Sequence, residues 1–519
     1  MASLPLRTAS FSYRRIELFK IDRTVDEDME KYLLGIDVGT TGTKAILFTA
    51  GGEMVAHAYR GYPLYNERVG ESEQEPQDWW RAIVDTVREV TLADGVAERV
   101  AAISLSTQGG TLVPVDKDGV PVRRAIVWND IRAEAQREKY IAEVGDASTL
   151  YQKTGWGLGR GLSLLDIRYL KDTEPEVFAA ADRFLSVPSY VALKMTGRAA
   201  VDLSNAGIEE LIDVRRKKYD ERLLEFAGIS ENRLAEFVPS GEVIGRLTRD
   251  AATELGLSED VVLVSGAHDQ YAVSLGAGVV ESGDILIGSG TCWVVTASGD
   301  EADFDSGLAQ SISAVPGLWG TLRSLSTGGV CLEWLRNGIA ASDGDNALDY
   351  DTINREVELL RAGEDGLFFY PFKGTYGDGA FTKGAFVGMD LSHNKFHLAR
   401  AIMEGVVFQV LWIMESFKTK PGAEGIRLSG GASKSAVWAQ ILADVSGLPV
   451  RIPEVADLAC VGAAILAGYG AGLYPSCKEG YRRFKIRERV VSARSYMTER
   501  YKPVFEKYKK QAAALGASY

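Results

Sequence analysis

Residues 32–48 read YLLGIDVGTTGTKAILF, two aliphatic runs joined by a turn of glycines and threonines. β-branched and aliphatic residues suit a half-buried pleated surface, and the Gly/Thr stretch closes a polar hairpin between them. The following GGEMVAHAYRGYPL, residues 51–64, supplies a second turn and a third strand, so the segment is a meander with a polar tip. An amphipathic helix is predicted over Gln77–Leu92, then an apolar strand at Val100–Leu105 and a strand pair around the Asp-Gly turn of TLVPVDKDGVPV, residues 111–122. Strands alternating with helices predict an α/β fold.

The same pattern returns further on. GDILIGSGTCWVVTAS, residues 283–298, is again strand, Gly/Thr turn and strand, followed by the β-like GLWGTLRSLST and a helix from Val330. Before it lies VVLVSGAHDQYAVSLGAG, residues 261–278, an apolar strand running into a polar cluster and a small-residue helix. After it come IRLSGGASKSAVWAQILADVSGLPV, residues 426–450, and the small-residue helix CVGAAILAGYGAG, residues 460–472. The halves read as duplicates separated by a cleft, with an extension over 1–30, domains over 31–282 and 283–510, and a tail over 511–519.

A chain of 519 residues with 46% hydrophobic and 25% charged residues fits two globular domains. Its net charge of −13 disfavours a nucleic-acid or acidic-membrane partner, so any bound phosphate must be held locally. Cys292, Cys331, Cys460 and Cys477 have neither CxxC spacing nor a disulfide-rich setting, which points to reduced thiols and a cytoplasmic protein. No stretch reads as a membrane span or a secretory signal. His393 and His397 form the only helically spaced histidine pair, and surface histidines explain it better than a metal.

A phosphate needs several close donors, and glycine lets the backbone approach it. Gly39, Thr40, Thr41, Gly42, Thr43 and Lys44 form such a turn, with the Asp37 carboxylate at its entrance for magnesium. A plain β-hairpin needing glycine is the alternative. The second turn, Gly288 to Thr291 and including Gly290, favours a phosphate clamp, since it recurs at the matching place. Neither turn is a P-loop. Asp269 ends an apolar strand, where a carboxylate suits proton removal from a substrate hydroxyl, with Gln270 to orient that hydroxyl and His268 as a neighbour. A helix N-cap role for Asp269 is the structural alternative. Ser429 to Ser433, with Gly430 and Gly431, turns from strand to helix and would admit a nucleotide, although taken alone the motif reads better as a simple strand-to-helix turn.

In this order the pieces resemble the FGGY family of carbohydrate kinases, most specifically in GAFVGMDLSHNKFHLARAIMEG, residues 384–405, where Gly384, Phe386, Gly388, Met389, His397, Leu398, Ala401, Ile402, Met403 and Glu404 fit the C-terminal signature. The resemblance implies two ribonuclease-H-like domains of the actin and hexokinase type, ATP and Mg2+ as cofactors, a small sugar as substrate and a homodimer. It implies that Thr40 and Thr41 meet the nucleotide phosphates, that Thr291 and Gly329 lie on the second phosphate side, and that Gly431 and Ser435 line the adenosine pocket. Asp269 would be the general base, and Asp37 and Asp269 the metal residues. STQGG and AIVWNDIRA match the substrate-facing segment, so Gln108, Gly109, Gly110 and Asp130 are expected near the sugar. Xylulokinases usually carry Met-His, and glycerol kinases Arg-Glu, where this chain has Gly109 and Gly110, which predicts an enlarged pocket that Trp156 fills in part. GLSLLDIRYL, residues 161–170, lacks the family's usual Lys and Trp. The segment 201–220 looks like that of xylulokinases, making a ketopentose the leading substrate. Other ketoses, erythritol or glycerol are alternatives, as are an actin-like ATPase module and a sugar-binding relic without turnover.

Overall fold

The computed structural model describes residues 31–159, 162–339, 348–361, 363, 366–372, 383–419, 421–422 and 424–516; the expected extension over 1–30 lies outside them. The first sheet contains β1 (Tyr32–Val38), β2 (Gly42–Thr49), β3 (Met54–Gly61), β4 (Val100–Thr107), β5 (Val243–Arg246) and β6 (Val262–His268), in the order β5-β6-β4-β1-β2-β3. β1 to β3 form the antiparallel meander, and β4 and β6 add parallel strands on the other edge of β1.

The second sheet contains β7 (Ile285–Ser289), β8 (Trp293–Gly299), β9 (Ala309–Ile312), β10 (Trp319–Leu325), β11 (Ile426–Gly430), β12 (Val450–Pro453) and β13 (Glu488–Val491), in the order β9-β10-β8-β7-β11-β12-β13. Again an antiparallel meander (β7, β8, β10) is extended by two parallel strands, β11 and β12. The duplicated α/β architecture expected from sequence is therefore present.

Eight helices carry the argument: α1 (Pro76–Val90), α2 (Leu203–Ile208), α3 (Asp269–Gly276), α4 (Gly329–Trp334), α5 (Lys395–Glu415), α6 (Ala436–Ser446), α7 (Leu458–Gly470) and α8 (Ser495–Gly516). α1 starts on a proline that tolerates the first turn and buries Trp79, Ile83 and Val87 in the first domain's core. α5 is long and apolar enough to cross a membrane by length and composition, which the sequence reading credits to no stretch. Ile402, Val406, Phe408 and Val410 bury it in the second domain's core, so it is a core helix. α8 runs through residue 511, where a tail is expected, and Ala512 is fully buried.

α7 belongs by sequence to the second half but packs on the first sheet and against α3. A Cβ at Gly35 would lie 2.0 Å from the Cys460 carbonyl oxygen, and one at Gly462 would lie 2.0 Å from that of Ala272. The backbones touch there, which only glycine permits, and α3 and α7 join the two domains at one crossing point.

Candidate active site

Asp37 lies near the carboxyl end of β1, Gln108 follows β4 and Asp269 follows β6. The chemistry-bearing residues thus gather at the carboxyl ends of the parallel strands, where α/β sheets bind ligands.

The first hairpin is closed by Gly39 N donating to the Gly42 carbonyl at 3.1 Å. Its other carbonyls are tied backwards. Tyr62 OH donates to Gly39 O at 2.6 Å, Gln74 Nε2 to Thr40 O at 2.6 Å, and Tyr59 OH to Thr41 O at 3.1 Å. The second hairpin repeats the device: Gly329 N donates to Gly290 O at 3.1 Å, while Gly328 N and Val330 N donate to Thr291 O at 3.1 and 3.2 Å. With the acceptors drawn to the rear, each turn has the polarity that suits an anion. Gly290, Thr291, Gly430 and Gly431 are exposed, and Ser289 links the last two to the hairpin, donating its hydroxyl to Ser429 O and accepting from Ala432 N at 3.0 Å.

Asp37 accepts a hydrogen bond from Ser106 Oγ at 2.7 Å. Burial pushes its carboxyl up to about 7; the Ser106 bond opposes the rise, and the Asp457 and Asp269 charges add to it. Lys44 is ion-paired with Asp457, the residue that caps α7 through Cys460 N. Its ammonium therefore braces the domain junction beside Asp37.

Asp269 is the first residue of α3, whose N-cap is His268 and has no side-chain capping bond, so Asp269 is not the N-cap. Its Oδ1 is buried without a hydrogen-bond partner; His268 Nε2 lies 3.3 Å away but off the line of a bond. An unsatisfied buried carboxylate oxygen calls for a partner, and a substrate hydroxyl supplies one. Gln270 is half-buried beside it.

Three expected roles change. Gln108 is buried, and its amide is spent on the first hairpin: Nε2 donates to Gln74 Oε1 at 2.8 Å, and Oε1 accepts from Thr40 Oγ1 at 3.2 Å. It braces the first hairpin. Asp130 is buried too, with its carboxylate closed by Arg132 at 2.7 Å and Ser72 N at 2.6 Å, so the geometry does not present it to a sugar. Ser435 caps α6 through Trp438 N and donates to Asn354 Oδ1 at 2.7 Å, which occupies the hydroxyl expected at the adenosine.

The enlarged pocket expected at Gly109 and Gly110 is also corrected. A Cβ at Gly109 would lie 2.6 Å from His268 Cδ2 and 3.0 Å from Ile208 Cγ2; one at Gly110 would lie 2.6 Å from Leu162 Cδ2. Side chains from elsewhere fill the space that the glycines leave. Trp156 stands edge-on to His268 and donates from Nε1 to Ser311 Oγ in β9 at 2.8 Å, crossing between the domains. A cleft of about 700 Å³ opens beside Trp156 and is not lined by the two glycines, with Gln152 and Trp156 from the first domain and Phe304, Arg323 and Ser324 from the second. Trp128, bonded to Thr40, and Gln74 carry no motif that marks them as site residues, since only long-range packing brings them here, while His268 is expected from sequence only as a neighbour of Asp269.

Among the described residues, no group of three or more His, Cys, Asp or Glu side chains is arranged to hold a metal. Asp37, and Asp269 with its unpartnered oxygen, suit a magnesium ion bound mainly by phosphate and water oxygens, which asks for only one or two carboxylates. His397 caps α5 by bonding back to Asn394 N at 3.2 Å, which accounts for it without a metal.

The chain matches the model of the FGGY family of carbohydrate kinases, N-terminal domain, over residues 32–276, and that of the C-terminal domain over residues 284–471. It is 28% identical over 457 residues to a gluconokinase of Bacillus subtilis, covering 86% of this chain and 88% of that one. It is 29% identical over 487 residues to a xylulose kinase of the same organism, with coverages of 92% and 96%. The L-xylulose/3-keto-L-gulonate kinase of Escherichia coli is 29% identical over 506 residues, with coverages of 94% and 98%. Among solved structures, the xylulose kinase of Rhodospirillum rubrum superposes with a TM-score of 0.87 at 27% identity, covering 93% of this chain and 99% of that one. With both halves of the family pattern matched in order, the chain belongs to the FGGY family of carbohydrate kinases.

Proposed function

We propose that the protein transfers the γ-phosphoryl group of ATP to a hydroxyl of a ketopentose such as xylulose, in the cytoplasm. The observation that carries the proposal is the Asp269 carboxylate, held at the head of α3 with one buried oxygen unpartnered, in a strand-end cluster with Asp37. The ketopentose is supported by segment 201–220 and by relatives named xylulose kinase. A second reading, a sugar acid such as gluconate, is favoured by the relatives named gluconokinase.

In this mechanism Thr40 and Thr41 on one side and Gly290, Thr291 and Gly329 on the other hold the ATP phosphates, and Gly430 and Gly431 lie along the adenosine. The first domain, to residue 282, carries the sugar, and the second carries the nucleotide. Asp37, with Asp269, would hold Mg2+ directly or through water, and the ion would supply neutralisation of charge on the phosphoryl oxygens. Asp269 accepts the proton of the attacking hydroxyl, which forms the new O–P bond as ADP leaves. Positioning does most of the work, since phosphoryl transfer asks little covalent chemistry of the protein. Segment 147–157 is tied to the second domain by Gln310 N donating to Gly155 O at 2.8 Å, and closure of the two domains would keep water from the γ-phosphoryl group.

The test is ADP release with Mg·ATP against xylulose, L-xylulose, ribulose, gluconate, erythritol and glycerol, with mass spectrometry of the product. Turnover on a ketopentose is expected, and Asp269→Asn should lower kcat by about 10²–10⁴-fold while nucleotide still binds. Near-normal turnover in Asp269→Asn would remove the base, and ADP formation indifferent to any sugar would favour an actin-like ATPase.

A further inference from the structure

We propose that His268 is a positioning residue that steadies the Asp269 carboxylate and, by filling the space over Gly109, selects the sugar. The proposal rests on Asp269 as the base.

The imidazole is buried and held on several sides. Its own backbone N donates to Ser204 Oγ at 2.9 Å, and that hydroxyl donates to Asp202 Oδ1 at 2.5 Å, which fixes the chain at the end of β6. Trp156 and Tyr271 stand against the ring at centroid distances of 6.2 and 5.9 Å. One ring edge faces Gly109 so closely that a Cβ there would come within 2.9 Å of Nε2. The same Nε2 lies 3.3 Å from Asp269 Oδ1, so a small rotation of either side chain closes a hydrogen bond that orients the carboxylate.

Two atoms of these adjacent residues, His268 Nδ1 and Asp269 Oδ1, are buried without partners. Buried polar atoms are rarely left unpaired, and a polyhydroxylated ligand carries both donors and acceptors to meet them. Gly109 offers a sugar no side chain. The group standing in its place is His268, and its shape and hydrogen-bonding capacity then decide which hydroxyl pattern is accepted.

The experiment measures kcat and KM for D-xylulose, L-xylulose, gluconate and ATP in the wild type and in His268→Ala, His268→Gln and Asp269→Asn, alongside thermal unfolding of Gly109→Ala, His268→Ala and their double variant. His268→Ala should lower kcat about tenfold to a hundredfold, the cost of a misplaced reacting group, and raise the KM for sugar but not for ATP. His268→Gln, whose amide reaches the position of Nε2, should recover most of kcat. Gly109→Ala should lower Tm, and adding His268→Ala should restore much of that loss, because the new methyl group then has room. Wild-type kcat and sugar KM in His268→Ala, or a loss confined to the KM for ATP, would overturn the positioning role. Strictly additive Tm changes would overturn the steric role even without turnover. An inactive Asp269→Asn beside a normal His268→Ala refutes only this proposal; an active Asp269→Asn refutes the base itself.

Discussion

Replacing Glu210 by Gln should stabilise the protein above neutral pH and leave its stability in acid nearly unchanged. Glu210 follows α2, is fully buried and has a φ of 60°. Its Oε1 accepts a hydrogen bond from Gly159 N at 3.0 Å, while Oε2 has no partner. Burial pushes the carboxyl from 4.5 up to about 8, against the lowering effect of the Gly159 bond. The folded state therefore binds this proton more tightly than the unfolded chain. Stability from this group is present in full below about 4.5 and is lost as pH rises through about 8. At about 1.4 kcal/mol for each tenfold difference in proton affinity, the full loss is about 5 kcal/mol. Gln keeps the acceptor for Gly159, the side-chain volume and the backbone strain, but cannot ionise. Thermal unfolding at pH 5, 7 and 9 measures the difference. At about 2–4 °C per kcal/mol, the gap between variant and wild type should be small at pH 5 and reach about 10–20 °C at pH 9. Glu209, pushed up to about 7 by burial, destabilises both proteins alike and drops out of the comparison. Parallel curves across the pH range would refute the reasoning.

Gln74→Ala removes the donor to Thr40 O and leaves Gln108 Nε2 only its 3.4 Å bond to Gly39 O, so the KM for ATP should rise several-fold and stability fall by about 1–3 kcal/mol; an unchanged ATP saturation curve would show that the first hairpin needs no brace. Gly462→Ala places a methyl group 2.0 Å from the Ala272 carbonyl oxygen where α7 crosses α3, so the backbones must part, at a cost of about 1–3 kcal/mol in denaturant unfolding. If that variant unfolds like the wild type, the crossing is looser than described.

What the sequence revealed was local. The meander and its duplicate follow from β-branched runs and Gly/Thr turns that need no distant partner, and Asp269 stood out because a carboxylate ends an apolar strand. What it hid was the choice of partner. The small residues of α7 promised close packing, but nothing in them named the first sheet as the surface they meet. Asp130 looked available to a sugar until Arg132, two residues on, was found folded back on it. Gln108 looked free until Gln74 reached it from a different segment.

The stretch most diagnostic of the family is also not where the chemistry sits. Glu404 accepts from Arg400 Nε and Tyr501 OH, each at 2.8 Å, inside the second domain's core, while Asn394 and His397 cap the helix that carries it. These residues hold α5 against α8, a packing task with few alternative solutions, whatever sugar is bound. The floor of the proposed substrate site works the other way. Gly109 and Gly110 contribute no side chain, and His268, Ile208 and Leu162 arrive from three different segments to fill the space. A motif built from neighbours in sequence can identify the phosphate-handling frame. On the proposal made above, the sugar meets side chains that become neighbours only after folding, so its identity is to be sought at His268 and not in the glycines beneath it.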